Sequence, residues 1–394
     1  MAPKRIRRKT LRTSETRILT THVGSLPRSE AVVELLQRRE EDPGAALPQF
    51  GATTRNAVAA IVQRQVDIGI DAVSDGETSK ISYAAYVKDR LTGFSAEGPT
   101  EPTRPHLDLA PFADLRRKMA LLTGSRSFKR VACIGPIKYC GRTALDADLA
   151  NMKAAVARAA PVDAFLNAAS PGEVASFLPI RHYALHEAYV EAVAAAMREE
   201  YEAIVGAGFV LQIDCPDLAM SRHTAFQDLS EEQFLERVQF HINVLNGAVA
   251  KIPPDRLRVH ICWGNYEGPH THDMPLTKII KALVAVNARA ISLEAANPRH
   301  EHEWQLWQHV MLPDDKILLP GIIDTSTNYV EHPDLVAQRI VRFAQMLGRD
   351  RVIASTDCGF GTAAGYGKID PEIAFLKLAA LVEGAARASD QLWR

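Results

Sequence analysis

Between Leu257 and Thr356 the chain reads LRVHIC (257–262), AISLE (290–294), ILLPGII (317–323) and VIAST (352–356), with longer stretches between these short apolar runs. Short continuous apolar runs bounded by turn residues are typical of strands that are buried on both faces. The intervening stretches are long enough for helices, and strands that alternate with helices predict a parallel sheet. This part of the chain therefore favours an α/β fold.

The same alternation continues toward the amino terminus. It adds the strand candidates Arg17–Val23, Ile70–Asp75, Val162–Ala168 and Gly208–Asp214, which brings the total to eight. Eight parallel strands joined by right-handed crossovers close into a (β/α)8 TIM barrel, whose chemistry lies on the loops at the carboxyl ends of the strands. We therefore predict a single barrel domain over residues 17–394.

Two stretches do not fit the repeat. Residues 91–160 include the proline-rich EGPTEPTRPHLDLAPF and a further extended segment over Arg130–Tyr139. A ninth strand does not fit a regular eightfold barrel, so we assign 91–160 to an insertion, expected as a hairpin packed over the barrel mouth. The basic start, residues 1–16, lacks the apolar run of a signal peptide and is predicted to be a mobile arm.

Composition limits the classes of function. The 394 residues are 47% hydrophobic and 24% charged, which is sufficient for a large core and too apolar for disorder. A formal net charge of -1 provides no general attraction for nucleic acid, and no apolar run is long enough to span a bilayer. The five cysteines form no C-x-x-C pair, so we predict free thiols, a reducing cytoplasm and small-molecule partners.

Four potential metal ligands follow three of the predicted strands. His260 and Cys262 are two residues apart on one strand, so their side chains point to the same face. Glu294 and Cys358 end or follow two other strands at the same rim. Two thiols, one imidazole and one carboxylate suit tetrahedral Zn²⁺. The alternative is that the cysteines are small core residues, as free cysteines commonly are.

Six segments closely resemble the catalytic domain of cobalamin-independent methionine synthase, a zinc enzyme that methylates homocysteine and has a (β/α)8 fold. They are THVGSLPR from Thr21, SDGETSK from Ser74, LQIDCPDL from Leu211, VHICWGN from Val259, ISLEAAN from Ile291 and STDCGFGT from Ser355. The resemblance implies a zinc site made by His260, Cys262, Glu294 and Cys358, in which an incoming thiol displaces Glu294.

The resemblance also implies contacts to the amino-acid substrate. The segment THVGSLPR would contact it through Val23, Gly24 and Ser25, and the carboxylates of Glu77 and Asp214 would bind the homocysteine ammonium. Two anionic groups at neighbouring strand ends make a pocket for a cation. The alternative is that these carboxylates form salt bridges with Lys80 or Arg222.

The chain also departs from that family's pattern. Ser326 in IIDTSTNYVEH stands where the family has a histidine acid, which leaves His332, His272 and His270 as candidates, in that order, for protonating a leaving group. Cys215 replaces a glutamate, and 394 residues leave no room for the second barrel that helps bind folate in the long enzymes. The methyl donor therefore stays open.

We interpret the sequence as a zinc-dependent S-methyl or S-alkyltransferase that activates a thiol, with homocysteine giving methionine as the leading case. The donor is a folate, a methyl-corrinoid protein or an epoxide. The resemblance extends to epoxyalkane:coenzyme M transferase, which adds a thiol to an epoxide. The sequence is also compatible with a zinc lyase or hydrolase that cleaves a C–O or C–halogen bond, and with a silent zinc-binding protein. Self-association through barrel helices is open.

Overall fold

The computed structural model of the chain describes residues 10–96, 105–123, 131–365 and 369–394. Its strands are β1 (Leu19–Thr20), β2 (Ala72–Val73), β3 (Phe94–Ser95), β4 (Ala132–Cys133), β5 (Asp163–Ala169), β6 (Val210–Asp214), β7 (Leu257–Ile261), β8 (Ala290–Leu293), β9 (Ile317–Ile323) and β10 (Ile353–Thr356). Eight of them form one sheet in the order β1-β10-β9-β8-β7-β6-β5-β2. Every strand pair recorded within that sheet is parallel.

Contacts between β1 and β2 bring the two ends of the sheet together. Asp71 N donates to Thr20 O at 3.2 Å, and Thr21 Oγ1 donates to Ala72 O at 3.0 Å. The Asp71 carboxylate also accepts from Thr20 N at 2.9 Å. These side-chain bonds replace part of a backbone ladder, which explains why both strands are shorter than the sequence predicts. The eight strands form a nearly closed (β/α)8 barrel, and the predicted fold is confirmed.

The helices surround this barrel. They are α1 (Glu30–Glu41), α2 (Phe50–Ile68), α3 (Ala113–Thr123), α4 (Arg142–Ala159), α5 (Pro171–Phe177), α6 (His186–Gly206), α7 (Glu231–Ala248), α8 (Leu276–Leu283), α9 (Pro333–Leu347) and α10 (Pro371–Leu392). Local sequence sets several of their starts. Ser230 and Gln233 make a reciprocal capping box before α7, and Asp370 caps α10 with proline at its first position. Among the described helices, none combines the length and apolarity needed to cross a membrane.

The insertion is shorter than the predicted 91–160. Helix α4 packs on α2 and leads directly into β5, so it occupies the place of a barrel helix. The remainder contains the antiparallel pair of β3 and β4, which an isolated bridge between Leu91 and Tyr139 extends. Leu107 N donates to His223 O at 3.0 Å, which ties this segment to the loop after β6. The insertion therefore reaches the carboxyl face of the barrel.

The predicted mobile arm is described only from residue 10 onward, since residues 1–9 lie outside the described part. Leu11 is buried, and its N donates to Asp255 O at 2.9 Å. Ser14 Oγ donates to Val352 O at 2.6 Å. Asp255 and Val352 precede β7 and β10, so residues 10–16 pack across the amino-terminal end of the barrel, and these residues are not the mobile arm that the sequence predicts.

Candidate metal and substrate site

Three of the predicted metal ligands meet at the carboxyl rim of the barrel. His260 lies on β7, Cys262 follows it directly, and Cys358 is two residues beyond β10. One ligand atom from each of the three lies within 4.8 Å of the other two, and the two sulfur atoms are 3.7 Å apart. We name these three residues the sulfur cluster. Their meeting depends on barrel closure, because β7 and β10 are not neighbours in the sheet.

His260 is a buried imidazole with one ring nitrogen that has no hydrogen-bond partner among the described residues. Its Nδ1 lies 3.3 Å from Ser292 Oγ, while its buried Nε2 has no hydrogen-bond partner among the described residues. Burial lowers the pKa of His260 to about 3, so the ring is neutral and keeps a lone pair. Contact with Cys358 and burial raise the pKa of the Cys262 thiol. A bound cation would reverse that shift, because it stabilises the thiolate. Two sulfurs and an otherwise unsatisfied imidazole nitrogen fit Zn²⁺.

Glu294 lies beside the sulfur cluster but is held by other groups. Its Oε1 accepts from Trp263 N at 2.7 Å, and its Oε2 accepts from Asn297 Nδ2 at 2.8 Å. Burial raises the pKa of Glu294 far above its ordinary value, and the nearby Cys262 adds to this shift. Glu294 is therefore a neighbour of the other three predicted ligands, but it is not part of the group whose ligand atoms lie within 4.8 Å of one another.

Asp357 positions the loop that carries Cys358, a role that the sequence analysis missed. Its carboxylate accepts from the backbone N–H groups of Ala295, Ala296 and Asn297 at 2.8, 2.9 and 2.8 Å. These three groups follow β8, so a single side chain fixes the β8 and β10 loops relative to each other. A buried carboxylate directly before a predicted ligand was the signal that could have identified it.

The Val23-Gly24-Ser25 turn follows β1 at the same rim. Gly24 has φ +138°, and a Cβ there would overlap the side-chain amide of Asn167. Asn167 Nδ2 donates both to Val23 O and to Asp214 Oδ2, each at 2.9 Å. Ser25 O accepts from Phe360 N at 2.8 Å, next to the Cys358 loop. The turn therefore connects the predicted substrate contacts to both Asp214 and the sulfur cluster.

Glu77 and Asp214 form a buried acidic pair. Burial raises the pKa of Glu77 to about 7 and that of Asp214 to about 6, and the charge of Asp214 contributes to the shift of Glu77. Glu77 Oε2 has no hydrogen-bond partner in the described part of the chain, and Glu77 has φ +54°. Lys80, which the sequence offered as a salt-bridge partner, donates instead to Asn167 O at 2.6 Å. Two cations still act on Glu77: the charge of Lys80 opposes the rise in its pKa most strongly, and Arg28 Nη2 lies 4.0 Å from Glu77 Oε2.

None of the three predicted acid histidines is gathered with the sulfur cluster. His332 caps α9 and its side chain is 71% exposed. His272 is half exposed, with Nδ1 2.8 Å from Asp108 Oδ1. His270 is buried, with Nδ1 2.9 Å from Asp273 Oδ2 and Nε2 2.9 Å from Tyr266 O. His332 is therefore a surface residue, whereas His272 and His270 belong to a network of contacts with Asp108 and Asp273.

A buried tyrosine–glutamate pair that the sequence analysis missed lies within electrostatic range of the two thiols. Tyr83 Oη donates to Glu173 Oε1 at 3.0 Å, and Glu173 Oε2 is buried without a partner among the described residues. Burial, followed by the charges of Glu173, Cys262 and Cys358, raises the pKa of Tyr83. Burial and Asp217 raise the pKa of Glu173 well above its ordinary value, which favours its protonated form. Nothing local marks these two residues, which are 90 positions apart.

Comparison with known proteins identifies several relatives of the chain. Among curated proteins, the chain is 26% identical over 414 aligned positions to a 2-hydroxypropyl-CoM lyase from Xanthobacter autotrophicus, covering 95% of this chain and 96% of the relative. It is 22% identical to a methionine synthase from Saccharolobus islandicus, with 95% and 96% covered. A 5-methyltetrahydropteroyltriglutamate–homocysteine methyltransferase from Nitratidesulfovibrio vulgaris is 24% identical, and the match spans only 39% of its length.

A solved structure supports the fold. The B12-independent methionine synthase from Shewanella sp. W3-18-1, in complex with selenomethionine, superposes with a TM-score of 0.71 at 19% identity, covering 95% of this chain and 99% of that one. The profile of the family described as "Cobalamin-independent synthase, Catalytic domain" matches residues 18–102 and 144–385, which is most of the chain. The chain belongs to the family of cobalamin-independent synthase catalytic domains.

Proposed function

We propose that this protein is a zinc-dependent S-alkyltransferase that binds homocysteine and transfers a methyl or related alkyl group to its sulfur. The observation that carries the proposal is the sulfur cluster, in which Cys262 Sγ, Cys358 Sγ and a ring nitrogen of His260 converge. His260 Nε2 has no hydrogen-bond partner among the described residues, and Asp214 of the buried acidic pair lies opposite His260 on the neighbouring strand. Membership of the family supports the general reaction class. Family membership does not identify the substrates or the metal, and both are part of the proposal.

The protein side of the metal site would consist of His260, Cys262 and Cys358, with Glu294 as an exchangeable fourth ligand. Zinc bound there would lower the pKa of a coordinated substrate thiol and keep it anionic at neutral pH. Glu294 is already stabilised by Trp263 N and Asn297 Nδ2, so it has partners to return to when a thiol takes its place. This supports the role of labile ligand.

Glu77 and Asp214 would bind the substrate ammonium. Gln212 and Asn167 both donate to the Asp214 carboxylate, which fixes its direction, at 2.7 and 2.9 Å. The partner-free oxygen of Glu77 would accept a charge-assisted hydrogen bond from the ammonium. Fixing the amino-acid end in this way limits the positions that the thiol can take, which lowers the entropic part of the barrier.

A leaving group that would depart as a strongly basic anion must be protonated as the bond to carbon breaks. His332, His272 and His270 remain proposals for that role, and the buried Tyr83–Glu173 pair competes with them. The raised pKa of Glu173 favours its protonated form, and Tyr83 is near enough to Cys262 and Cys358 to respond to their charge. In such a transfer the Tyr83 hydroxyl would turn from Glu173 Oε1 to the leaving group and accept the Glu173 proton in return, which would leave the negative charge on Glu173 until it is protonated again.

Zinc-edge X-ray absorption tests the proposal directly. The zinc-loaded protein is offered homocysteine, coenzyme M and glutathione in separate samples. We expect a new zinc–sulfur contact with homocysteine alone, together with loss of zinc–sulfur scattering in Cys262→Ser. Cys140→Ser, which changes an exposed cysteine, is the matched control and should behave as the wild type. Unchanged zinc–sulfur scattering in Cys262→Ser would refute the ligand assignment.

A second candidate is thiol addition to an epoxide, with coenzyme M as the thiol. Arg28 favours it, because a buried guanidinium 4.0 Å from Glu77 could bind a sulfonate. The near full-length match to a lyase of coenzyme M chemistry points the same way. The acidic pair opposes it, since a sulfonate beside two carboxylates is repelled. A new zinc–sulfur contact with coenzyme M and none with homocysteine would select this candidate.

A further inference from the structure

A second group of metal-ligand side chains lies at the barrel mouth, outside the sulfur cluster. It consists of Asp108 from the insertion, His223 from the loop after β6, and His270 and Asp273 from the loop after β7. One ligand atom from each of Asp108, His270 and Asp273 lies within 4.8 Å of the others. We name these four residues the carboxylate–histidine cluster.

His223 is the independent sign of a missing partner. It is fully buried, at 0% exposure, and neither ring nitrogen has a hydrogen-bond partner among the described residues. Its Nδ1 lies 3.3 Å from Asp273 Oδ1, so the ring faces the cluster without forming a hydrogen bond there. A buried polar ring without a partner is costly and calls for an explanation such as a bound ion. Burial lowers the pKa of His223 to about 4, which keeps the ring neutral and able to ligate.

The surrounding groups hold these side chains as outer contacts hold metal ligands. Asp108 accepts from Thr271 N at 2.7 Å and from Tyr266 Oη at 2.9 Å. Asp273 Oδ2 lies 3.0 Å from His300 Nε2. Asp108 Oδ1 also accepts from Thr271 Oγ1 and His272 N and lies 2.8 Å from His272 Nδ1, so Oδ2, whose one recorded donor is Tyr266 Oη, is the Asp108 oxygen that keeps a lone pair for a cation.

Both ring nitrogens of His270 face hydrogen-bond acceptors, and although burial lowers the pKa of this ring, the hydrogen bond and charge of Asp273 outweigh burial and raise it. His270 Nε2 lies 2.9 Å from Tyr266 O, a carbonyl that can only accept, so this nitrogen carries the hydrogen. The other nitrogen, Nδ1, faces Asp273 Oδ2 at 2.9 Å. A cation at the cluster would take the place of the hydrogen between Nδ1 and Asp273, and binding would release one proton when that ring is protonated.

We propose that Asp108, His223, His270 and Asp273 bind a second divalent cation of the zinc class, separate from the sulfur cluster. Two imidazole nitrogens and two carboxylate oxygens suit Zn²⁺ or Co²⁺ and form a harder site than two thiolates. Asp108 lies within residues 103–143, the stretch that the family profile does not match. The site therefore depends on this chain's insertion, beyond the framework that its family shares.

Metal counting tests the proposal. The full-length protein is stripped with a chelator, reloaded with Zn²⁺, desalted and analysed for zinc per chain. We expect two zinc ions in the wild type and one in Asp108→Asn or His223→Gln. Cys262→Ser should keep the ion at the carboxylate–histidine cluster. His302→Ala is the matched control, since His302 is an exposed histidine of the neighbouring loop, and it should retain two.

Cobalt substitution separates the two sites independently of activity. Thiolate ligands give Co²⁺ an intense sulfur-to-metal charge-transfer band, and the carboxylate–histidine cluster should add only weak d–d absorption. In Cys262→Ser we expect the charge-transfer band to fall while the d–d absorption of one bound cobalt remains. A wild-type protein that holds a single zinc, all of it lost in Cys262→Ser, would overturn this inference and leave the proposed function intact. This test compares only the wild type with Cys262→Ser, so it does not depend on whether variants of the carboxylate–histidine cluster fold.

Discussion

Replacing Gly24 by alanine probes the connection between the fold and the substrate turn. The backbone at Gly24 has φ +138°, a conformation that costs an L-residue about 1–3 kcal/mol. The new Cβ would overlap the Asn167 amide, so Asn167 must rotate and lose its bonds to Val23 O and Asp214 Oδ2. Each lost hydrogen bond costs about 0.5–1.5 kcal/mol. We therefore expect Gly24→Ala to lower the free energy of unfolding by about 2–6 kcal/mol.

Urea denaturation followed by tryptophan fluorescence measures this change. The matched control is Gly247→Ala, an exposed glycine of α7 whose added Cβ meets nothing within 4 Å, and which should gain about 0.4–1 kcal/mol. Gly24→Ala should also raise the KM for homocysteine, because Asn167 no longer directs the Asp214 carboxylate. If Gly24→Ala matches the wild type in both unfolding midpoint and KM, the described turn is incorrect.

Three further predictions concern buried ionisable side chains. The pKa of Glu77 is raised to about 7, so the negative charge of its carboxylate is lost as pH falls below 7, and the KM for homocysteine should rise there by up to about tenfold per pH unit. Glu77→Gln should flatten this pH profile of KM. A wild-type KM that is independent of pH between 6 and 8 would contradict the role of Glu77. The pKa of Glu173 is raised in the folded state by burial, so above its unfolded pKa the wild type loses stability as pH rises toward the folded pKa. Glu173→Gln lacks this titration, and its melting temperature relative to wild type should increase from pH 5 to pH 8 in calorimetry; a constant difference would exclude a buried neutral acid. Lys377 is fully buried and lies 2.9 Å from Glu331 Oε2, so Lys377→Met should cost about 3–5 kcal/mol and lower the melting temperature, whereas an unchanged transition would show that Glu331 needs no cation.

The predicted strands and the sulfur cluster were accessible from local pattern. His260 and Cys262 share a face because strand side chains alternate, and the loop after β10 brings Cys358 to the same rim. Glu294 lies at the carboxyl end of β8, where the sequence pattern put it. Its hydrogen bonds to Trp263 N and Asn297 Nδ2 could not be predicted, since they depend on the exact course of two loops.

The assignment of residues 91–160 shows where pattern was insufficient. Helix α4 has the period of any amphipathic helix, and only its packing on α2 identifies it as part of the barrel. Likewise, Asp108 meets Thr271 across 163 positions, and no spacing rule connects two loops so far apart. The acid candidate His332 failed to meet the sulfur cluster because its position at the start of α9 directs the ring toward solvent.

The sequence by itself determined the alternation of buried strands and helices, and with it a barrel whose strand ends carry sulfur, imidazole and carboxylate ligands. Backbone geometry sets these features locally, because side-chain periodicity follows from the strand and the helix themselves. Only the tertiary structure decided which polar groups become buried neighbours: Tyr83 with Glu173, Glu77 with Asp214, and Asp108 with the loop after β7. Their charges depend on desolvation by the whole closed barrel, a property that no single segment of the chain contains.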